Sequence, residues 1–573
     1  MEKPGLYRLA PSAPGAILQR MDGEIDALVI GAGFAGLYQL HSLRDRLGLS
    51  TRLLEAGGDL GGTWYWNRYP GARCDSESHA YRYFFSKELN EEWEWSERYP
   101  GPPEILRYLG RVAEKLDLRR DMRFGCRVVA ARYDEGANRW RVETDAGERY
   151  AATYLVAAVG CLSAANVPDI PGLRDFAGQW FHTGKWPHEG VDLAGKRVGQ
   201  IGTGSTGIQA APVIAQAAAH LTVFQRTATY SVPARNAPLT PEFNRWVRAN
   251  HAEIRAVAES TPNGHAFRIA NRNAADVTPE ERQAIYEAAW EKGGLQFRAT
   301  FRDLLVDQAA NDTACEFIKG RIRAIVRDPE TARALADVDH PYATKRPPID
   351  SGYYETFNRD NVTLVDLRAD PIECITPRGI RTRRKEHELD VIVFATGYDA
   401  MTGALLAIDI RGREGRSLRE DWRAGPHTYL GLQVPGYPNF FTITGPGSPS
   451  VLTNMPVAIE QHVEWITDCI AYLRRNGIDA IEPDPEAVRR WDAHVEEAAN
   501  ATLLSKAKHS WYYGANVPGK PRVFMPYAGG LARYRAICAN VAAKGYEGFL
   551  LGRTPVARSA SMGEFAEARG VGV

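Results

Sequence analysis

The chain has little with which to build a disulfide framework or a metal ribbon. Its 573 residues include seven cysteines, Cys74, Cys126, Cys161, Cys315, Cys374, Cys469 and Cys538, an odd and scattered set. None forms a CxxC or CxxxxC pair, which argues against a zinc ribbon and a dithiol redox centre and points to a reducing cytoplasmic compartment. No run of about twenty apolar residues occurs, the length a membrane helix needs. Met1 to Arg20 lacks a continuous apolar core, so no signal peptide is expected. Net charge is absent too: Lys+Arg 70 balance Asp+Glu 70, leaving no basic field for nucleic acid or an anionic membrane. Repeats and low-complexity tracts are missing, and no residue set suggests a metal. With 44% hydrophobic and 24% charged residues, the chain reads as globular, and its length predicts about two to four domains.

What is present is one pattern, twice. Ile25 to Ile30 is an apolar strand, followed at once by Gly31-Ala-Gly33-Phe34-Ala-Gly36, a helical segment and a second strand, Thr51 to Leu54, that ends in Glu55. In such a unit the first glycine makes the tight turn, the second admits a pyrophosphate to the backbone, and the third lets helix and strand pack. The helix N-terminus faces the phosphates, and a carboxylate at Glu55 binds both ribose hydroxyls. Arg197 to Ile201, Gly202-Thr203-Gly204-Ser205-Thr206-Gly207, a helix over 208–219 and Leu221 to Phe224 repeat the design. Glu55 stands 24 residues after Gly31, and Arg226 stands 24 after Gly202. An acid accepts from a free 2′-hydroxyl and repels a phosphate, whereas arginine offers a fork of donors to a 2′-phosphate. The first unit is therefore expected to hold FAD and the second NADPH/NADP+. Two further apolar strands ending in glycine, 154–160 and 391–397, mark where the chain is expected to pass between the domains, the second returning it to the FAD domain.

Two longer motifs narrow the reading. Phe176-Ala-Gly178-Gln-Trp-Phe-His182-Thr-Gly-Lys-Trp186-Pro187 precedes the second glycine turn. Gly61-Gly62-Thr63-Trp64-Tyr-Trp-Asn-Arg-Tyr-Pro-Gly-Ala-Arg73-Cys74-Asp75 follows the first. Together with Lys345-Arg346-Pro347, Ser351 to Glu355, Phe394 to Asp399, Gly445 to Ser450 and Ser510-Trp511-Tyr512, they make the chain resemble the Baeyer–Villiger monooxygenases, in particular their phenylacetone and steroid branch. The resemblance spans nearly the whole chain. The first twenty residues and the tail after about Arg553 fall outside it and are expected to be disordered.

The resemblance implies NADPH- and O2-dependent oxidation of ketones, bulky cyclic, aromatic or steroid-like, to esters or lactones through a C4a-peroxyflavin. It implies Arg346 as the cation beside the reacting oxygen, oriented by Asp75. Lys345 joins Arg226 and Thr227 at the 2′-phosphate. Trp64, Tyr81, Val128 and Met455 contact FAD, and Arg73 and Cys74 belong to the same cofactor-binding set. Trp511 covers the NADP side, 448–455 forms the pocket loop, and His182 couples domain movement to turnover. Cys161 departs from the phenylacetone branch, which has glutamine there.

The expected fold is α/β: two Rossmann-like dinucleotide-binding domains with a helical insert. The FAD domain takes 1–160 and 390–573, the NADP domain 161–235 and 336–389, and the insert 236–335, where Ile285, Tyr286, Ala289 and Trp290 share a helical face. A monomer is expected. The rival readings are an N- or S-oxygenating flavin monooxygenase, a disulfide reductase, which the missing cysteine pair opposes, and a non-catalytic flavin-binding protein.

Overall fold

The structure is a computed structural model, and it describes residues 24–507 and 509–552. The expectations for the first twenty residues and for the tail after Arg553 lie outside the described residues.

The first sheet has eight strands. At its centre the Glu24–Ile30 strand runs parallel to Thr51–Leu54 on one side and Arg149–Ala157 on the other, with Ile30 opposite both Leu54 and Ala157. Ala27, Leu28 and Val29 are wholly buried, as expected of a parallel strand covered on both faces. Met122–Arg123 extends one edge, and Arg139–Thr144, Val128–Asp134 and Asp409–Arg411 extend the other. Phe440–Thr442 adds to Arg149–Ala157. The long Met455–Arg475 helix, started by Pro456 in its first turn, packs on Phe34–His41 and buries Val457, Ile459, Val463 and Ile466 in the main core.

The second sheet has five parallel strands in the order Val362–Asp366, His220–Gln225, Arg197–Ile201, Val391–Phe394, Gln179–His182. This corrects one expectation. The apolar strand at 391–394 does not return the chain to the first sheet. It lies between Arg197–Ile201 and Gln179–His182, with Phe394 opposite Ile201 and His182, so the boundary expected at 389/390 falls inside a sheet. A fully apolar parallel strand has the same pattern in either sheet, and only its neighbours assign it. Residues 241–336 contain five α-helices. The Pro279–Lys292 helix opens on Thr278 and Glu281 in a reciprocal capping box and ends at Gly293, φ +69°, both standard helix boundaries. Its Tyr286 and Trp290 are buried, and Ile285 and Ala289 are partly buried against the second-sheet core.

Candidate functional site

The two glycine turns have the same local geometry. A Cβ on Gly36 would sit 1.7 Å from the Gly31 carbonyl oxygen, and one on Gly207 would sit 2.2 Å from the Gly202 oxygen. In each unit only glycine lets the helix close on its strand. Gly33 faces Gly62 across a gap that a Gly62 Cβ would fill, 2.8 Å from the Gly33 Cα. Around Gly204 the space is open, with no heavy atom within 4 Å of a Cβ position. Ser205 and Gly204 are exposed at the start of the Ser205–Ala217 helix, and Thr206 is half-buried. These turns fit dinucleotide pyrophosphates: backbone amides, no side chains in the way, and a helix N-terminus.

Glu55 is buried at the end of its strand. One carboxylate oxygen accepts from the Ala32 amide at 2.7 Å and the other from the Gly57 amide at 2.6 Å, which fixes it beside the first turn. The Cys126 amide donates to the Glu55 carbonyl, bringing buried Val128 into the same corner. Trp64, next after Thr63, donates its indole N–H to the Tyr81 hydroxyl at 3.0 Å, and Phe34 packs edge-on to Tyr81 at 5.2 Å. At the second turn Thr203 donates to the Thr227 carbonyl at 2.9 Å. Arg226 next to it is exposed. Lys345 lies deeper. Burial lowers its pKa, nearby Asp339 opposes the shift and the Arg226 charge adds to it. Arg226 and Lys345 are thus close enough for their charges to interact.

Arg346 and Asp75, 271 residues apart, meet in a fork. Nε donates to Oδ2 at 2.5 Å and Nη2 to Oδ1 at 2.8 Å. The third nitrogen, Nη1, donates to the carbonyls of Val451 at 2.9 Å and Thr453 at 3.1 Å. The guanidinium is therefore locked between the Asp75 motif and the 448–455 loop, with side-chain exposures of 16% and 25% for the pair. Burial alone would raise the Asp75 pKa, but the charge and hydrogen bonds of Arg346 bring it below the usual carboxylate value. The Arg346 pKa is raised further, the Asp75 carboxylate outweighing burial. Arginine is a permanent cation here.

Other expected residues gather near this pair. Met455 begins the helix after the loop, and it and Trp511 are partly buried against a small cluster of Cys161, Met401, Val451 and Tyr512. The Trp511 ring centroid is 4.4 Å from that of Tyr512. Cys161 and Cys74 are buried and burial pushes both thiols up, so neither is a poised thiolate. Arg73 is occupied elsewhere: it pairs with Glu97 at 2.6 Å and donates to the Tyr99 carbonyl.

Three residues around Arg346 escaped the sequence reading, and a fourth, Tyr512, entered it only as part of a motif, with no role. Tyr512 is buried, and burial pushes its hydroxyl up to about 12 against the opposing charges of Arg346 and Arg298. His265 is buried, with its pKa held well below the usual histidine value by burial, then by Arg346 and Arg298. Tyr342 is buried. Arg298 is mostly buried, and burial and then the Arg346 charge lower its pKa. Tyr512 ends the Ser510-Trp511-Tyr512 motif, which marks the position without showing that its hydroxyl lies by Arg346. Arg298 and His265 lie inside the helical insert and Tyr342 just beyond it, where no motif marks them.

The Phe176–Pro187 motif lies at the join of the two sheets. His182 Nδ1 accepts from the Gly184 amide at 3.0 Å, and Nε2 lies 3.0 Å from the Gly397 carbonyl, to which it donates. Burial takes its pKa down to about 4, with the Gly397 bond opposing and Lys185 adding. The ring is a neutral crosslink with a fixed tautomer. A Cβ on Gly178 would meet the Asp390 carbonyl oxygen at 2.4 Å. Phe176 and Trp186 are buried in two different cores, and Pro187 follows the second. The two segments joining the sheets also bond to each other: Asn166 donates to Gly397, Asp399 to Ala164 and Met401 to Cys161.

Comparison with known proteins places the chain among flavin monooxygenases over nearly its whole length. Residues 25–268 match the pyridine nucleotide-disulphide oxidoreductase family, although all seven cysteines here are free. A Baeyer–Villiger monooxygenase of Pseudooceanicola batsensis is 47% identical over 93% of this chain and 97% of its own. Cyclohexanone 1,2-monooxygenase of an Acinetobacter species is 44% identical over 93% and 97%. The solved structure of an oxidized steroid monooxygenase bound to NADP superposes with a TM-score of 0.88 at 52% identity, over 92% of this chain and 99% of that one.

Proposed function

The chain belongs to the Baeyer–Villiger monooxygenases, FAD- and NADPH-dependent enzymes that convert ketones to esters or lactones, and from that premise we propose which residues do the work and which ketones they serve. The net reaction takes a ketone, O2, NADPH and a proton to an ester, water and NADP+. FAD, when bound, accepts the hydride and activates O2. Gly31, Gly33, Gly36 and Glu55 would hold it, together with Gly62, Thr63, Trp64 and Tyr81. Gly202 to Gly207, Arg226, Thr227 and Lys345 hold NADPH.

The observation that carries the assignment is the fork between Arg346 and Asp75. Negative charge builds on oxygen as the ketone carbonyl is attacked. Arg346 supplies a fixed cation for it, pre-oriented at no cost at the moment of reaction. Asp75 sets its direction, and the carbonyls of Val451 and Thr453 set its depth. Because the same side chain holds the 448–455 loop, it also keeps the pocket wall in place and helps exclude water. His182 keeps the joint between the sheets in register and moves no proton.

Likeness to a steroid monooxygenase supports bulky cyclic or aromatic ketones. The free cysteines support a reducing, cytoplasmic setting, and among the described residues no helix is long and apolar enough to cross a membrane. We assign the protein as a monomer, with its FAD domain resuming after Gly397. The test is incubation of the holoenzyme with NADPH, air and three ketones: a small ring, an arylacetone and a steroid. A sulfide and an N-heteroaromatic serve as controls. A product one oxygen heavier that hydrolyses as an ester from the larger ketones supports the reading. Oxygenation of the controls alone would overturn it.

A further inference from the structure

Arg298 has no counterpart in the chemistry described so far. It lies in the Leu295–Ala299 turn. That turn is tied on one side to the segment after Asp75, through Gln296 and Glu77. On the other side it is tied to the segment before Arg346, through Phe297 packed edge-on to Tyr342 at 5.5 Å. A third segment closes the corner: the Asn454 amide of the pocket loop donates to the Asn263 carbonyl at 2.8 Å, two residues before His265.

Among the described residues Arg298 has neither a carboxylate partner nor a hydrogen-bond acceptor, while every nitrogen of Arg346 is engaged. Two polar atoms of the same corner, the Tyr342 hydroxyl and His265 Nε2, are buried and unpartnered. The balance of charge is uneven. Asp75 neutralises one guanidinium, Arg98 takes Glu77 at 2.8 Å, and His265 is neutral because burial and the two arginines depress it. One cation and two hydrogen-bonding groups are left without partners in a desolvated place, which is costly unless a ligand supplies an anion.

We propose that Arg298, with Tyr342 and His265, forms a carboxylate subsite beside Arg346, so that the preferred ketones are oxo-acids bound with their carboxylate on Arg298 and their carbonyl on Arg346. This rests on the ketone-oxidising reading above. Arg298 would act as a specificity-determining residue. The fork of a guanidinium suits a carboxylate through two parallel hydrogen bonds, and the adjacent hydroxyl and imidazole N–H supply two more donors.

The experiment compares a cyclohexanone carboxylate with its methyl ester, in the wild-type holoenzyme and in Arg298→Met and Arg298→Lys. Charge-assisted pairing predicts kcat/KM about 10- to 100-fold higher for the acid in the wild type. The ratio should collapse to about 1 in Arg298→Met and be partly kept in Arg298→Lys. As a readout apart from turnover, the oxidised holoenzyme is titrated with cyclohexanecarboxylate and with the matching carboxamide. The carboxylate alone should perturb the flavin absorbance, and Arg298→Met should abolish the change. An acid no better than its ester in the wild type, with no carboxylate perturbation, overturns the proposal. So does an Arg298→Met variant that loses NADP+ affinity with the acid-to-ester ratio intact, because the arginine would then serve the cofactor. If neither ketone is oxidised, the ketone reading itself fails, and the titration still decides the subsite. Should Arg298→Met not fold, the wild-type ratio and titration decide alone.

Discussion

Replacing Arg346 by methionine separates its two jobs. The side chain makes four hydrogen bonds, two of them a charged fork on Asp75. Methionine keeps much of the volume and removes all four. The Asp75 carboxylate is left desolvated and unpaired, and breaking such a pair costs about 3–5 kcal/mol. The effect depends on pH. In the wild type the Asp75 pKa is depressed, so its contribution is present above the unfolded value of about 3.9 and is lost as pH falls through the folded one. In Arg346→Met burial is opposed only by the smaller effects of His265 and the backbone amide, and the folded pKa moves above about 3.9. The penalty is then full at neutral pH and shrinks as acid protonates the carboxyl. The double variant Asp75→Ala/Arg346→Met should recover much of the lost stability, because no buried charge remains. Ester formation should not recover, since the cation is gone. Loss of one preorganised electrostatic stabiliser costs about 10²–10³ in rate, while NADPH oxidation continues and ends in hydrogen peroxide. Thermal unfolding followed by flavin fluorescence at several pH values reads the first effect, and ester against peroxide yield reads the second. A double variant no more stable than the single, or Arg346→Met forming ester at the normal rate, would refute the reasoning.

Arg226→Ala should weaken NADPH at least ~10-fold more than NADH, since only NADPH carries the 2′-phosphate; equal losses in KM would remove Arg226 from that site. Gly204→Ala should fold and retain FAD, because a Cβ there meets nothing within 4 Å, yet lose NADP+ affinity measured by titration. Gly207→Ala, with its Cβ 2.2 Å from the Gly202 oxygen, should instead be unstable, and equal Tm values for the two variants would contradict the cradle geometry. For His182 the folded pKa of about 4 lies below the ordinary 6.5 or so. Its contribution, about 3 kcal/mol, is present above pH 6.5 or so and fades as pH falls toward 4; a Tm-versus-pH profile unchanged in His182→Asn would count against it.

The glycine turns were legible because each glycine answers a local steric demand that spacing alone records, and the acid at Glu55 against the arginine at Arg226 separated the cofactors on charge. The strand at 391–394 was legible as a strand but not as a member of the second sheet, since an apolar run carries no mark of its neighbours. The meeting of Asp75 and Arg346 came from resemblance. Across 271 residues no periodicity could bring them together. Arg298 was invisible for a further reason: an arginine in a helical insert reads as a solvated charge until burial and missing partners are known.

The two segments that join the sheets are bonded to each other and to His182. A single tether between two bodies is a swivel. Two tethers stitched side by side form a door hinge, because any turn must bend both by the same amount. Any turn of one sheet against the other would then follow one arc and bring the same groups back together each time. Precision of alignment is in that sense stored in the joint as well as in the pocket, and a change far from the reacting atoms, at Gly397 or Asn166, would blur it.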